Sequence, residues 1–136
     1  AYPSRIPRGR IANLQGDLTP HPPAQRRAFQ DNLWQARFLL ANAHKALTRR
    51  DTAYVALCCS TAVMIAAHAW HAAAGQWVTN EKDLVPNVAR LSPGSPDFSR
   101  RAGRALAHLG EDPEQLAAAI EEIEGIIKQP IPSSRS

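Results

Sequence analysis

The sequence has little cysteine, few aromatic residues and no segment with the alternating pattern of a β-strand. Its two cysteines, Cys58 and Cys59, adjoin each other within a helical pattern, where neighbouring side chains point in different directions. A disulfide between them is sterically unfavourable, which excludes a fold stapled by disulfides. We therefore expect two small buried thiols in a reducing compartment.

The sequence also shows no pattern typical of a phosphate-binding loop, a membrane span or a signal segment. No glycine-rich phosphate loop occurs, and no strand that would carry one. His68 and His71 interrupt the longest apolar run, so no stretch is expected to approach the roughly 20 apolar residues of a membrane span. We expect a cytoplasmic protein without a membrane partner. Its beginning with Ala1 rather than methionine is consistent with a piece of a longer polypeptide.

Basic residues are concentrated in the N-terminal part of the chain. Residues 1–50 carry nine Lys or Arg and two acids, whereas residues 51–136 carry seven and ten. Residues 1–23 also hold five prolines, which prevents a long regular element. We predict an extended basic leader or interdomain linker over 1–23. Because no aromatic residues interleave its arginines as a stacking surface requires, nucleic acid is not the favoured partner.

Helical periodicity dominates from residue 24 onward. An apolar stripe predicts a first helix over 24–48, and Asp51 is placed to cap a second helix that reaches about residue 74. Breakers and caps delimit three shorter helices, over 80–91, 96–109 and 113–127. The predicted class is all-α: an up-and-down helical bundle of about five helices over residues 24–136, with two long antiparallel central helices.

The second helix is predicted to be the most buried element. It carries apolar residues on several faces, including Leu57 and Ile65. Leu33 and Leu40 of the first helix and Ile120 of the last are expected to belong to the same core.

The turn after the second helix is the candidate functional corner. Gly75 suits the left-handed position just past a helix end. Asn80 is placed to cap the next helix, with Glu81 and Lys82 in its first turn. A lysine there opposes the helix dipole, so either the start is simply solvated or the lysine meets an anion. The candidate ligand or partner cleft comprises His71, Trp77, Asn80, Glu81 and Lys82.

Other polar pairs do not assemble a catalytic centre. His68 and His71 are three residues apart, but a metal site needs a third ligand, and none stands at a supporting spacing. Arg37 and His44 share a helix face with six residues between them, which matches the arginine-to-histidine spacing of small helical ribonucleases and also arises by chance in an arginine-rich chain. The sequence assigns no catalytic residue and no metal ligand.

Four segments carry a resemblance to a known family. Asn-Leu-Trp-Gln-Ala-Arg-Phe at 32–38, the segments 43–46 and 49–51, and Trp-Val-Thr-Asn-Glu-Lys at 77–82 resemble the helical C-terminal domain of bacterial nucleotidyltransferase-like proteins. That domain belongs to the HEPN-like helical bundles, which include the substrate-side domain of aminoglycoside nucleotidyltransferases. The likeness covers roughly residues 28–125. It implies a bundle that docks beside a polymerase-β-like catalytic module and closes over its nucleotide or acceptor.

The signature of that catalytic module, Gly-Ser followed by Asp-x-Asp on strands, is absent from this sequence. Because metal-ion phosphoryl transfer needs those carboxylates, Mg²⁺ and a nucleotide are expected only together with such a module.

Three functions follow from these observations. The first is a substrate-side or partner-binding domain of a nucleotidyltransferase-like protein, whose partner is the catalytic domain, with a homodimer left open. The second is a self-contained HEPN-type ribonuclease or toxin–antitoxin component that dimerises through its helices. In that branch of the family the arginine and histidine lie at the start of a later helix, whereas Arg37 and His44 lie on the first. The third is an interaction module without a small ligand. Whether the whole protein is an enzyme is left open by the sequence.

Overall fold

A computed structural model of the chain describes residues 23–132, which form a helical bundle with no strand in that range. The helices are α1 (Pro23–Asp31), α2 (Leu33–Ala46), α3 (Thr52–Ala73), α4 (Leu84–Asn87), α5 (Pro96–Ala107) and α6 (Pro113–Lys128). Short 3₁₀ turns follow α2 at Leu47–Arg49 and α4 at Val88–Arg90. The predicted all-α bundle is confirmed. The leader predicted over 1–23 lies outside the described residues except for Pro23, which opens α1.

Three helix starts follow from capping residues in the sequence. Asp51, Ser95 and Asp112 each accept a backbone N–H from the first turn of α3, α5 and α6 respectively. A proline occupies the first position of both α5 and α6, where its missing N–H costs nothing. Gly75, two residues beyond the end of α3, has the predicted positive φ of 73°.

The predicted first helix, 24–48, is broken at Asn32. There the spacing of the backbone hydrogen bonds changes. The N–H of Asn32 donates to the carbonyl of Ala28, four residues earlier, whereas the carbonyl of Asn32 accepts from the N–H of Gln35, only three residues later. This tighter turn redirects the chain. It separates α1, which packs on α3, from α2, which runs along α3 as its main neighbour.

Small residues line the seam between α2 and α3. Ala36, Ala43 and Ala46 of α2 are fully buried, as are Ala62 and Ala67 of α3. With only methyl groups at these positions, the two antiparallel helices can approach closely and bury their backbones from water. This pair is the centre of the bundle, as predicted.

The last helix closes the core against that pair. The α6 stripe consists of Leu116, Ile120, Ile123 and Ile127, all buried, and α6 packs on α2, α3 and α5. The spacing of the stripe places these side chains on one helical face, so this part of the core follows directly from the sequence.

Burial of the predicted core residues is uneven. Leu40 and Ile120 are fully buried, whereas Leu33 and Ile65 are only half-buried. Leu57 is 66% exposed, so the expectation that α3 is buried almost all round is wrong at this position. Leu57 is exposed because α1 is too short to cover this part of α3. Helix α1 covers α3 near His68, where Phe29 stacks on the imidazole, while Leu57 lies about three turns earlier on the same face.

Helix α3 is long and apolar enough to cross a membrane by length and composition alone, with a mean hydropathy of 1.5 over its best window. The expectation that no stretch approaches a membrane span is therefore wrong in these terms, because two histidines weigh little in an average dominated by alanine, valine and isoleucine. Of that window, 44% is buried inside the bundle. The core helix of a soluble protein passes the same test, so this property decides nothing about membranes.

Both cysteines are buried and unpaired, as expected. Burial raises the pKa of the Cys59 thiol to about 11, because the thiolate loses its hydration in the core. Cys59 therefore stays protonated and behaves as a small apolar residue.

Candidate functional site

The corner predicted from the sequence is an irregular segment between α3 and α4. Asn80 Oδ1 accepts the backbone N–H of Lys82 at 2.9 Å, which closes a local turn of the kind asparagine favours. Asp83 then has a positive φ of 61° and makes no capping bond, so α4 begins only at Leu84. The expectation that Asn80 caps a helix with Glu81 and Lys82 in its first turn is therefore wrong. The dipole argument for Lys82 no longer applies.

Two histidines of α3 hold this segment against the bundle. His71 is buried, and its Nε2 donates to the backbone carbonyl of Leu84 at 3.0 Å. One turn earlier, His68 Nε2 lies 3.1 Å from Glu81 Oε2. Both imidazoles thus bind the same connection, and we call this arrangement the histidine clamp (His68, His71, Glu81 and Leu84).

The clamp brings together only part of the predicted cleft. His71 and Glu81 are fixed by it, and Trp77 is half-buried in the same connection. Asn80 and Lys82 are exposed, and the Lys82 ammonium makes no ion pair with any residue in 23–132. A binding role for these five residues stays a prediction, whereas the clamp itself is a structural role that the geometry shows.

Burial lowers the pKa of His71, because the protonated imidazole would lose its hydration. The unfolded chain, in which histidine titrates near its ordinary value of about 6.5, then binds this proton more readily than the folded chain. We expect the free energy of unfolding to fall as the pH is lowered from about 7.5 through the histidine range. Replacing His71 with glutamine, which does not titrate, should make that fall shallower. Urea denaturation at a series of pH values measures both slopes.

An unchanged slope in His71→Gln would contradict this account of the pH dependence. The control is His68→Gln, because the His68 imidazole is less deeply buried and lies 3.1 Å from the carboxylate of Glu81. We expect the His71 substitution to change the slope more.

Arg37 and His44 do not form an isolated pair. His44 Nε2 lies 3.1 Å from Glu124 Oε1 on α6, so this histidine joins α2 to α6. Arg37 is exposed on α2. Among residues 23–132, no group of three or more His, Cys, Asp or Glu is placed to hold a metal ion.

Two large aromatic side chains stand on the outer face of α2. Trp34 is 56% exposed and Phe38 is 58% exposed, and their ring centroids are 6.5 Å apart. Arg37 and Lys45 are exposed on the same helix, and no acidic residue occurs between positions 32 and 50. We call Trp34 and Phe38, with these two basic residues, the aromatic face of α2. The signal was in the sequence: two aromatics at i and i+4, off the apolar stripe.

A cleft of about 470 Å³ lies between α5 and α6. Arg100, Arg101 and Arg104 of α5 line one wall. Their i, i+1 and i+4 spacing is visible in the sequence, but the facing wall is supplied by α6, which only the packing of the two helices reveals.

The carboxylate of Asp97, in the first turn of α5, is firmly ionised. The pKa of Asp97 is lowered by a hydrogen bond from Gln129 and by another from Arg101, because both donors stabilise the charged form. Asp97 also pairs with Arg100, at 2.6 Å. This carboxylate therefore neutralises part of the arginine charge in α5.

Comparison of the chain with protein-family models, with curated proteins and with solved structures finds no match. What the domain binds has to be inferred from its own residues and geometry.

Proposed function

We propose that this chain is a helical substrate-side or partner-binding domain of a nucleotidyltransferase-like protein, and that it docks on a catalytic module through the aromatic face of α2. The observation that carries the proposal is the exposure of Trp34 and Phe38 on a helix whose opposite side is locked in the core. Tryptophan and other large aromatics are the residues on which binding energy concentrates at interfaces.

The aromatic face is held rigidly. Ala36, Leu40 and Ala43 of α2 are fully buried on the side that packs against the bundle, so the backbone beneath Trp34 and Phe38 is fixed. Little conformational entropy of α2 is therefore lost when a partner binds to these two rings.

The charge around the rings indicates the chemistry of the partner. Arg37 and Lys45 are exposed on the same helix, with no acidic residue between positions 32 and 50. A surface that combines an apolar pocket for the rings with acidic residues around it is complementary to this face.

The position of the rings supports the assignment to this type of protein. Both belong to the stretch 32–38, one of the stretches that resemble the helical domain of nucleotidyltransferase-like proteins. The all-α bundle is also the fold that the resemblance implies.

The test begins with the coding sequence upstream of Ala1 and with the neighbouring reading frames, which should encode a module with Gly-Ser followed by Asp-x-Asp. With that module purified, calorimetric titration should show binding that Trp34→Ala and Phe38→Ala each weaken by about 10-fold or more. The conservative variant Trp34→Phe keeps an aromatic ring and should retain most of the affinity.

Absence of any such module from the locus would contradict the proposal, as would alanine variants that bind like the unsubstituted chain. The alternative, a self-contained HEPN-type ribonuclease that dimerises, makes a different prediction. In that case sedimentation would show a dimer that Trp34→Ala dissociates, and RNA cleavage would be lost in both Arg37→Ala and His44→Ala.

A further inference from the structure

The cleft between α5 and α6 has the size and lining of a small-molecule site. Its volume of about 470 Å³ falls in the range of ligand pockets. The polar lining comprises Arg100, Arg101, Arg104, His108, Gln115 and Glu122. Ala105, Ala118 and Ala119 complete the lining, and their methyl groups provide an apolar floor between the helices.

Most of the positive charge in this cleft is already neutralised. Arg101 donates from Nε to Glu122 at 2.7 Å and from Nη1 to Asp97 at 3.2 Å. Arg100 donates to the other oxygen of Asp97. Two carboxylates therefore balance two arginines.

Arg104 carries the charge that is left over. Its guanidinium makes no hydrogen bond or ion pair with any residue of the described range 23–132, although it lines the cleft. A guanidinium offers five N–H donors in a planar fork that fits the oxygens of an anion. Arg104 is exposed, so an anion in the cleft would take the place of the water that solvates this guanidinium.

One further donor faces the same space from the opposite wall. His108 also lines the cleft, but its Nδ1–H already donates to the backbone carbonyl of Arg104 at 2.8 Å, so the neutral imidazole has no N–H left for an anion. Gln115, from the first turn of α6, lines the cleft from the opposite helix and has an amide that can donate. Donors on two helices suit an anion whose oxygens point in several directions.

We propose that the α5–α6 cleft binds a small phosphate monoester, with the phosphate on Arg104 and the organic part on the alanine floor. Three phosphate oxygens can accept from both walls at once, whereas a planar carboxylate satisfies the fork of one arginine. A nucleic-acid strand is less well matched, because none of the described residues that line the cleft is an aromatic on which a base could stack. The inference rests on this geometry and does not depend on the docking role of α2.

The test is calorimetric titration of the full chain with AMP, adenosine, inorganic phosphate and succinate at low ionic strength. We expect saturable binding of AMP, weaker binding of inorganic phosphate and no detectable binding of adenosine. Succinate carries a similar charge on carboxylates and should bind at least about 10-fold more weakly than AMP.

Substitutions locate the site. Arg104→Gln should weaken AMP binding by about 10- to 100-fold, the effect of losing a charged hydrogen-bond donor. The matched control is Arg90→Gln, which removes the same charge from the 3₁₀ turn after α4, where Arg90 bonds to Asn87. Ala118→Leu places a larger side chain on the exposed part of the alanine floor. It should weaken the binding of AMP more than the binding of inorganic phosphate. Circular dichroism checks that each variant is folded.

Three results would overturn the proposal. The first is no saturation by AMP up to about 10 mM. The second is an equal loss of AMP affinity in Arg104→Gln and Arg90→Gln, which would show that AMP is attracted only by the net charge of the chain. The third is succinate binding as tightly as AMP, which would show a general anion site with no preference for phosphate.

Discussion

Phe98→Ala is expected to lower the free energy of unfolding by about 3–5 kcal/mol, the range for removing a large buried aromatic side chain. Phe98 is fully buried, and its ring packs against Trp70 of α3 with centroids 6.3 Å apart. The substitution leaves a cavity where α5 meets α3. Urea denaturation followed by circular dichroism measures the loss.

Phe38→Ala is the matched control for this substitution, because it deletes the same atoms from a ring that is 58% exposed. Surface changes of this kind alter stability by about 0.5 kcal/mol or less. Equal losses in the two variants would show that α5 does not pack on the core as the structure places it.

Leu40→Ala should cost about 2–5 kcal/mol of unfolding free energy, through lost burial and a residual cavity. Leu40 is fully buried on α2, the helix that contacts both α3 and α6. Guanidinium denaturation compares it with Leu57→Ala, where the leucine is mostly exposed and about 0.5 kcal/mol or less is expected. A loss below about 1 kcal/mol at Leu40 would mean that α2 does not turn this face to the core.

The parts of the fold that the sequence predicts are those governed by local chemistry. Asp51, Ser95 and Asp112 cap their helices because their side chains reach the first free N–H groups. The α6 stripe through Ile120 is buried because its spacing matches the helical repeat. Each of these features depends on a few neighbouring residues.

The error at the start of α4 arises where local and distant interactions compete. Asn80 turns its side chain to the N–H of Lys82, an option that competes with capping a helix. The start of α4 is instead set by Leu84, which is buried and whose carbonyl is held by His71, 13 residues away. Sequence patterns do not reveal such a distant bond.

The candidate surfaces were visible in the sequence only in part. The spacing of Trp34 and Phe38 can be read along one helix, but their exposure depends on which side of α2 the bundle covers. The arginines of α5 line a cleft only because α6 lies opposite. Glu122 of α6 pairs with Arg101, and Arg104 has no counter-charge among residues 23–132. Pairing between helices decides which charge is available.

The connection Leu47–Asp51 bears on the order of assembly. It lets α2 and α3 meet after closing a loop of a few residues, whereas the bond between His44 and Glu124 joins positions 80 residues apart. Since each doubling of a closed loop costs about 0.6 kcal/mol of entropy, we expect the α2–α3 hairpin to form before α6 docks. Until then the inner face of the hairpin, Leu40 included, is open to solvent. The nascent chain is therefore prone to self-association while α6 is still being synthesised.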